Sequence, residues 1–518
     1  MAASAWSDGY VADIPYLAGF YPDQAPAHLN FVCLLNGLEP NRAGRSFTYC
    51  ELGCGQGVTA ALLAAANPQA SVHAVDFNPA HIAAGEELAK EAGLANLHLI
   101  ESSFAELDGA AGRALPDFDF VTLHGVYSWV SPPNRRAIVE FMGRHLKPGG
   151  MVYLSYNCMP RWLAGLPVQR LLYELASLAP GRSDQRFRQA LSFVEEMVKA
   201  QAHDLEENHI LKSILKEWDA GRAPYFVHEY LNGNWQPLYH ADVARELAEA
   251  KLSFVGSSTV FENFPAMTLS TEQQALLARV ELPELRETLK DFFVPHLLRR
   301  DVFVRGARRL SEGRREELMR GTRLALAVPR QRTRLEIEVA VGRASVEARH
   351  YEPIFDALAE APRTAGELLA LPALSDATAL QATEIAGMLV GSRQALPVPA
   401  SEHAPDTEPG RRFNAVIARR AVHDQLGKAQ ALASGLLGTG VPVTGVDCHV
   451  YRALGASSRL DADELARGLW SLLAASGDTL VSEGKALTEE SECLAFFREH
   501  AGRALAEKLP LWRALAAV

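Results

Sequence analysis

The run Phe47–Leu52 reads as a short apolar strand. It passes directly into Gly53-Cys54-Gly55-Gln56-Gly57 and then into the apolar helical stretch Val58–Ala66. A strand, a glycine turn and a helix in immediate succession leave few folds open. The glycines permit a tight turn and bring main-chain N–H groups close to a ligand at the helix N-terminus. Asp76 stands nineteen residues beyond Gly57, at the end of the next β-rich run, Ser71–Asp76. An acidic side chain at that place accepts hydrogen bonds from both hydroxyls of a ribose.

The alternation continues. Pro79–Ala92 reads as a helix with Asn78 as its N-cap and proline at its first position. Leu97–Glu101, Phe118–His124 and Met151–Tyr156 read as strands, and Pro133–Leu146 as a helix closed by Lys147-Pro148-Gly149-Gly150. Strands separated by single helices pair in parallel through right-handed crossovers, which predicts an α/β, doubly wound, mostly parallel sheet. Beyond Trp162 the text turns helical to about Gly221, an insertion packed beside or over the sheet. The helix Ala241–Ala250 then leads into the strand Leu252–Ser257, and Asp301–Arg305 reads as a last, antiparallel strand. The sheet would thus hold seven strands and be discontinuous in sequence.

After Arg309 the pattern changes. Leu324–Val328 and Leu335–Val341 read as strands and Pro353–Ala361 and Thr364–Leu371 as short helices, an order compatible with a winged-helix-like module. Pro397–Arg411 reads as a linker, and the remainder as mostly helical, as in Ala462–Ala475 and Glu490–Leu509. The expected division is 1–160 as the core, 161–240 as the helical insertion and 241–310 as the rest of the sheet. A middle α+β domain at 311–396 and a mostly helical domain at 397–518 follow.

At 518 residues the chain is too long for one hydrophobic core. Its net charge of -11 argues against a general nucleic-acid binder. Six cysteines without a CxxC pair argue against a zinc site or a disulfide framework and for a reducing compartment. No basic segment followed by an apolar run opens the chain, and no apolar run is long enough to span a bilayer, so a cytoplasmic protein is expected. The stretch Arg299–Arg334 carries twelve arginines and no lysine, read as solvated helix faces paired with Glu312, Glu316 and Glu317.

A nicotinamide-binding fold shares the glycine-turn logic, but its pattern is GxGxxG, whose wider spacing seats a pyrophosphate. Here the pattern is GxGxG led by Glu51, which better suits the zwitterionic amino-acid end of S-adenosylmethionine. Glu51-Leu52-Gly53-Cys54-Gly55-Gln56-Gly57, with Ala74-Val75-Asp76-Phe77-Asn78-Pro79, resembles motifs I and II of class I S-adenosylmethionine-dependent methyltransferases. His124-Gly125-Val126-Tyr127-Ser128-Trp129-Val130, Ser155-Tyr156-Asn157, Trp162, His228-Glu229-Tyr230-Leu231-Asn232 and Arg300-Asp301-Val302-Phe303-Val304-Arg305-Gly306 narrow this. They resemble bacterial methyltransferases with a methyltransferase regulatory domain, a group that includes rickettsial outer-membrane-protein lysine methyltransferases.

The resemblance implies that the glycine loop, with Gly53, Cys54, Gly55 and Gly57 behind Glu51, holds the methionine part of the cofactor. It implies that Asp76 holds the ribose, with Phe77 beside it, and that His124 lines the methyl-transfer site. Many class I enzymes place an Asp after the third strand against the adenine amino group; here Ser102-Ser103-Phe104 stand there, with Ser103 left to bond the base and Phe104 to pack on it. Tyr127, Trp129, Tyr156 and Tyr16 are candidates for an aromatic acceptor slot, and Asn157 for orienting the amine. Tyr10, Tyr16 and Tyr21 precede the first strand, where class I enzymes often fold a lid over the cofactor, with core or surface packing as the alternative. No metal is expected. The implied acceptor is a lysine of a protein or peptide, an outer-membrane protein among the candidates, and the helical insertion implies a homodimer. A small-molecule O- or N-methyltransferase and a non-catalytic cofactor-binding scaffold stand as alternatives.

Overall fold

The computed structural model describes residues 7–14, 19–218, 222–375, 380–400, 404–423, 430–455, 460–476, 479–482 and 485–518. Its centre is a seven-stranded sheet built from β1 (Thr48–Leu52), β2 (Ser71–Asp76), β3 (Leu97–Glu101), β4 (Phe118–Leu123), β5 (Leu146–Asn157), β6 (Leu252–Ser257) and β7 (Leu298–Arg305). The order is β3-β2-β1-β4-β5-β7-β6. The first five strands pair in parallel, and β7 runs antiparallel to both β5 and β6. The strand order reverses between β1 and β4, so a crevice opens above their C-terminal ends, where doubly wound sheets take ligands.

Alternation along the strands supplies both faces. Tyr49 and Tyr153 point to the side covered by α1 (Pro26–Leu35) and α2 (Val58–Ala66), in one core with Leu29, Leu62 and Leu63. α3 (Pro79–Ala92) lies on that side too. It is capped by the Asn78 carboxamide, which accepts from Ala80 N at 3.0 Å, and it ends on Gly93 in the left-handed region. Cys50, Leu52, Val121 and Val152 point to the opposite side, against α4 (Pro132–His145).

Four further helices follow β5: α5 (Gly165–Leu178), α6 (Ser183–Lys199), α7 (His209–Glu217) and α8 (Ala223–Tyr230). They gather around Trp162, Leu172, Phe187, Leu191 and Trp235 in a core of their own. The chain returns to the sheet through α9 (His240–Ala248) and, after β6, through α10 (Pro283–Lys290) into β7. β6 and β7 thus complete the sheet from residues far along the chain, as expected.

Beyond β7, Arg323–Leu326 pairs antiparallel with both Arg363–Thr364 and Ala395–Pro397. The helix at 348–360 contains Pro353 rather than starting on it. The expected linker is shorter than its composition indicates, because Glu408 opens a helix to His423 with Pro409 in its first turn, where proline is tolerated. The C-terminal region also holds two hairpins, Gln430–Ser434 with Thr439–Val443 and Leu480–Ser482 with Lys485–Leu487, which a helical reading misses. The first is fastened to the core: Arg45 donates to Gly435 O at 2.9 Å and Asn67 to Gly438 O at 2.8 Å. Of the arginine-rich stretch, Arg314 and Arg320 pair with Glu317 and Glu316 as expected, whereas Arg299 is buried.

Candidate cofactor cavity

Between β1 and α2 the chain turns through Gly53, Gly55 and Gly57, all in the left-handed region with φ of 72°, 54° and 69°. The amides of Gly53 and Cys54 both donate to Val75 O, at 2.8 and 3.0 Å, which folds the loop back against the end of β2. A Cβ on Gly53 would stand 2.5 Å from Val126 Cγ2, so this position is closed to any side chain. At Gly55 the corresponding Cβ would enter open space in the cavity that the loop borders. The loop is a cradle that a side chain would fill.

That cavity, with its open mouth, spans about 1370 Å³. It is walled by the ends of β1 to β4, by the N-terminal segment and by α8. Asp76 closes its centre. Its carboxylate accepts from Gly55 N at 2.8 Å, Asn78 N at 2.9 Å and His81 Nδ1 at 3.2 Å, which fixes the acid against the loop while it still lines the cavity.

Glu51 is buried and also faces the cavity. One oxygen accepts from Gln24 Nε2 at 3.2 Å, and the other, Oε2, has no hydrogen-bond partner among the described residues. Burial pushes its carboxyl up to about 8, and the nearby Ala60 amide, outside hydrogen-bond geometry, only partly offsets that. A buried carboxylate without a partner is costly, and a cation brought to it would recover the cost. The ammonium of S-adenosylmethionine, on a ligand already cationic at sulfur, fits this residue.

His124 stands just past β4. Its Nδ1 lies 2.8 Å from the Tyr153 hydroxyl, and Tyr21 stacks on its ring with centroids 3.8 Å apart. Burial, reinforced by the Arg300 guanidinium and opposed by Asp23, lowers the imidazole to about 4, so it is neutral near pH 7. Tyr21 itself is tied to α2, its amide donating to Thr59 Oγ1 at 3.2 Å. Farther along, Tyr10 meets the edge of Phe77 at 5.7 Å between centroids and the ring of His228 at 5.4 Å. Tyr10 and Tyr21 therefore border the cavity from the N-terminal side.

Of the residues singled out from the sequence, Glu51, Gly53, Cys54, Gly55, Asp76, Phe77, Ser103, Phe104, His124 and Trp129 line the cavity. Gly57 does not. It starts α2 and turns its Cβ position toward Leu99 at 3.2 Å. Two aromatic-slot candidates, Tyr127 and Tyr156, and the amine-orienting candidate Asn157 also fall away from the cavity. Tyr127 is buried on the other side of the sheet and donates to Glu246 at 2.5 Å. Tyr156 alternates into the β5–β7 interior, where its hydroxyl donates to Asp301 at 2.7 Å. Asn157 accepts from Trp235 Nε1 at 3.4 Å, and its main chain is held by Ser128 and Leu238. Strand alternation turns Tyr156 from the cavity, whereas Tyr127, in the turn after β4, and Asn157, at the end of β5, are held by Glu246 and Trp235. Tyr16 lies outside the described residues.

Sequence reasoning missed three contributors: Asp8, Glu229 and Asn234 also border the cavity. Glu229 and His228 sit on α8 within a motif that the family resemblance already marked, and the signal was the acid itself, next to a cavity-lining histidine. Among the described residues, no group of three or more His, Cys, Asp or Glu is arranged to hold a metal ion, and no helix is long and apolar enough to cross a membrane.

Comparison with known proteins fits this geometry. A methyltransferase domain model matches residues 50–152, and a model described as "Predicted methyltransferase regulatory domain" matches 222–305. The second match takes in α8, α9, β6, α10 and β7, so it covers two strands of the sheet and one wall of the cavity. An uncharacterised protein of Synechocystis sp. is 34% identical over 507 residues, 98% of each chain. An uncharacterised protein of Rickettsia prowazekii is 31% identical over 150 residues, 29% of this chain and 58% of that one. The structure of PKMT2 from Rickettsia typhi in complex with AdoHcy is similar with a TM-score of 0.66, over 97% of this chain and 100% of that one, at 17% identity.

Proposed function

We propose that this chain, which belongs to the family of S-adenosylmethionine-dependent methyltransferases carrying a methyltransferase regulatory domain, methylates lysine side chains of a protein. Methyltransferase activity with that cofactor is the premise; the lysine acceptor is the proposal. Its support is the residue pattern shared with the rickettsial lysine enzymes, the whole-length fold likeness to PKMT2, and the chemistry around His124.

When bound, the cofactor supplies a methyl group on cationic sulfur, open to in-line displacement. The protein's part is to position and to exclude water. The glycine-loop main chain and the free oxygen of Glu51 would hold the amino-acid end, and Asp76 the ribose. A lysine amine has an ordinary pKa near 10.4, so roughly one in a few thousand is neutral at pH 7. His124 adds no charge beside it, and the stacked Tyr21 ring gives an apolar wall. Arg300, which depresses the imidazole, disfavours a second cation there as well. An ammonium entering this end is pressed to release its proton to water before transfer. The neutral His124 beneath Tyr21 is the observation that carries this reading.

Purified protein, radiolabelled cofactor and lysate from a strain lacking this chain test it. Labelled protein bands that yield methyl-lysine on hydrolysis are expected. Label confined to small molecules would sink the lysine reading in favour of a metabolite acceptor, and cofactor binding without any transfer would leave a scaffold. The dimer belongs to the same proposal: the inserted helices turn Leu178 and Phe193 outward, 83% and 52% exposed. A strictly monomeric mass by light scattering at micromolar concentration refutes it.

A further inference from the structure

Four carboxyl groups line the cavity, and three are accounted for. Glu51 meets the amino-acid end. Asp76 anchors the glycine loop and faces the ribose. Asp8 accepts from the Ser131 hydroxyl at 2.7 Å and the Asn134 carboxamide at 2.9 Å. The fourth, Glu229, is half-buried on α8 and has no hydrogen-bond or ion-pair partner among the described residues. Burial raises it to about 7, so it is a polar group held away from water without a protein group to offset that.

The cofactor's adenine needs an acceptor for its exocyclic amine, and the loop after β3 turns no carboxylate toward the cavity. There the Ser103 amide and hydroxyl both donate to Glu106 at 2.8 Å, and the Ser102 hydroxyl donates to Ser103 O at 3.1 Å. The one acid of that loop is folded back on its own backbone, exposed, and does not border the cavity. α8 borders the same cavity. His228 contacts Tyr10, Tyr10 contacts Phe77, and Phe77 directly follows the ribose-holding Asp76. Phe77 and Phe104 offer flat apolar surface to a purine here, away from Glu51 and His124 at the methyl-transfer end.

We propose that Glu229, from the segment matched by the regulatory-domain model, accepts the hydrogen bond of the adenine amino group in place of the acid that other class I enzymes carry after their third strand. The "regulatory" segment then reads the base of the cofactor as well as completing the sheet. This rests on the cofactor assignment and adds a specific atom to it.

The test is calorimetry with two ligands, S-adenosylhomocysteine and its analogue with hydrogen in place of the exocyclic amine, on the full chain. The unaltered protein is expected to prefer the amine-bearing ligand by ~10–100-fold, the range for a hydrogen bond to a charged or otherwise unpaired buried group. Glu229→Ala is expected to bind the two within about twofold of each other, since the group that tells them apart is gone. Glu229→Gln keeps an acceptor oxygen in the same place and retains roughly fivefold preference or more. The ratio is taken on one protein sample at a time, so partial unfolding of a variant does not produce it. Full preference in Glu229→Ala overturns the proposal. So does a loss confined to binding of a lysine-containing acceptor peptide, which would put Glu229 at the acceptor. If neither ligand binds the unaltered protein, the cofactor assignment fails with it.

Discussion

Glu51 and Glu229 border the cofactor cavity, and burial pushes both up, to about 8 and about 7. Across the sheet, between β5, β7, α9 and α10, lies a second group of buried carboxylates held in the opposite direction. Asp301 is held far below the ordinary carboxylate range by Arg299, His240 and the Tyr156 hydroxyl, and Glu287 is lowered by Lys290 and Arg299. Glu262 is lowered by His296, which bridges it to Asp291 at 3.1 and 2.9 Å, while Arg299 reaches Asp291 at 2.7 Å. In this cluster nearly every charge meets its complement, and the cluster fastens the returning strands to the first five. In the cavity the complements are missing from the protein. Paired acids hold the fold together, and unpaired ones await a ligand.

Breaking the cluster should therefore cost far more stability than altering the cavity. Asp301→Ala removes the carboxylate that Arg299, His240 and the Tyr156 hydroxyl share in the interior and is expected to cost ~3–5 kcal/mol, read as a lower denaturation midpoint at unchanged slope. Glu51→Gln should do the reverse. The free protein keeps its stability at pH 7, because an acid raised to about 8 is already mostly neutral there, while cofactor affinity falls by ~1.5–3 kcal/mol. If Glu51→Gln unfolds more easily, Glu51 belongs with the structural acids and the contrast fails.

Gly53→Ala sharpens the same contrast at the level of the backbone. The left-handed turn costs ~1–2 kcal/mol with a Cβ present, and Val126 must also move. Both stability and cofactor binding are expected to drop, where Glu51→Gln affects binding alone.

The smallest expected effect is a pH dependence. Asp291 and Glu262 raise His296 to about 9, against an ordinary value near 6.5. The folded state therefore holds this proton more tightly than the unfolded chain. The stabilisation is complete below pH 6.5 and fades as pH rises through 9, by about 2 kcal/mol between pH 7 and 9. His296→Gln should flatten that part of a stability-versus-pH curve, and a curve unchanged by the substitution would contradict the pairing. Glu51 has the same sign: with its acid raised, its contribution to the free protein also weakens as pH rises from about 4.3 toward 8.

Much of this was legible in the order of residues. β2, β3, α2, α3 and β6 have the bounds their patterns indicate, because strand alternation, Asn78-Pro79 and the glycine turn each act locally. Most of the cavity-lining residues picked out from the sequence were legible for the same reason, since the turn and the strand ends carry them. The acceptor slot was not. Tyr127, Tyr156 and Asn157 lie next to the right strands, but the face each presents depends on pleat and on partners such as Glu246 and Asp301, more than a hundred residues away. Glu229 escaped notice because its meaning comes from an absence, the missing partner, and sequence displays partners no better than it displays their lack. The hairpin at Gln430–Val443 is short and rests on α2 rather than on a strong pattern of its own.

The contrast between awaiting and satisfied acids can be read in one titration. Cofactor binding is measured calorimetrically at pH 7 in buffers of different ionisation enthalpy, for the native protein and for Glu51→Gln. With its carboxyl raised to about 8 in the free protein, Glu51 is mostly protonated at pH 7 and must ionise to receive a cation. The native protein should thus release close to one more proton per cofactor bound than the variant, and bind more tightly. Equal proton release and equal affinity in the two proteins would contradict the account.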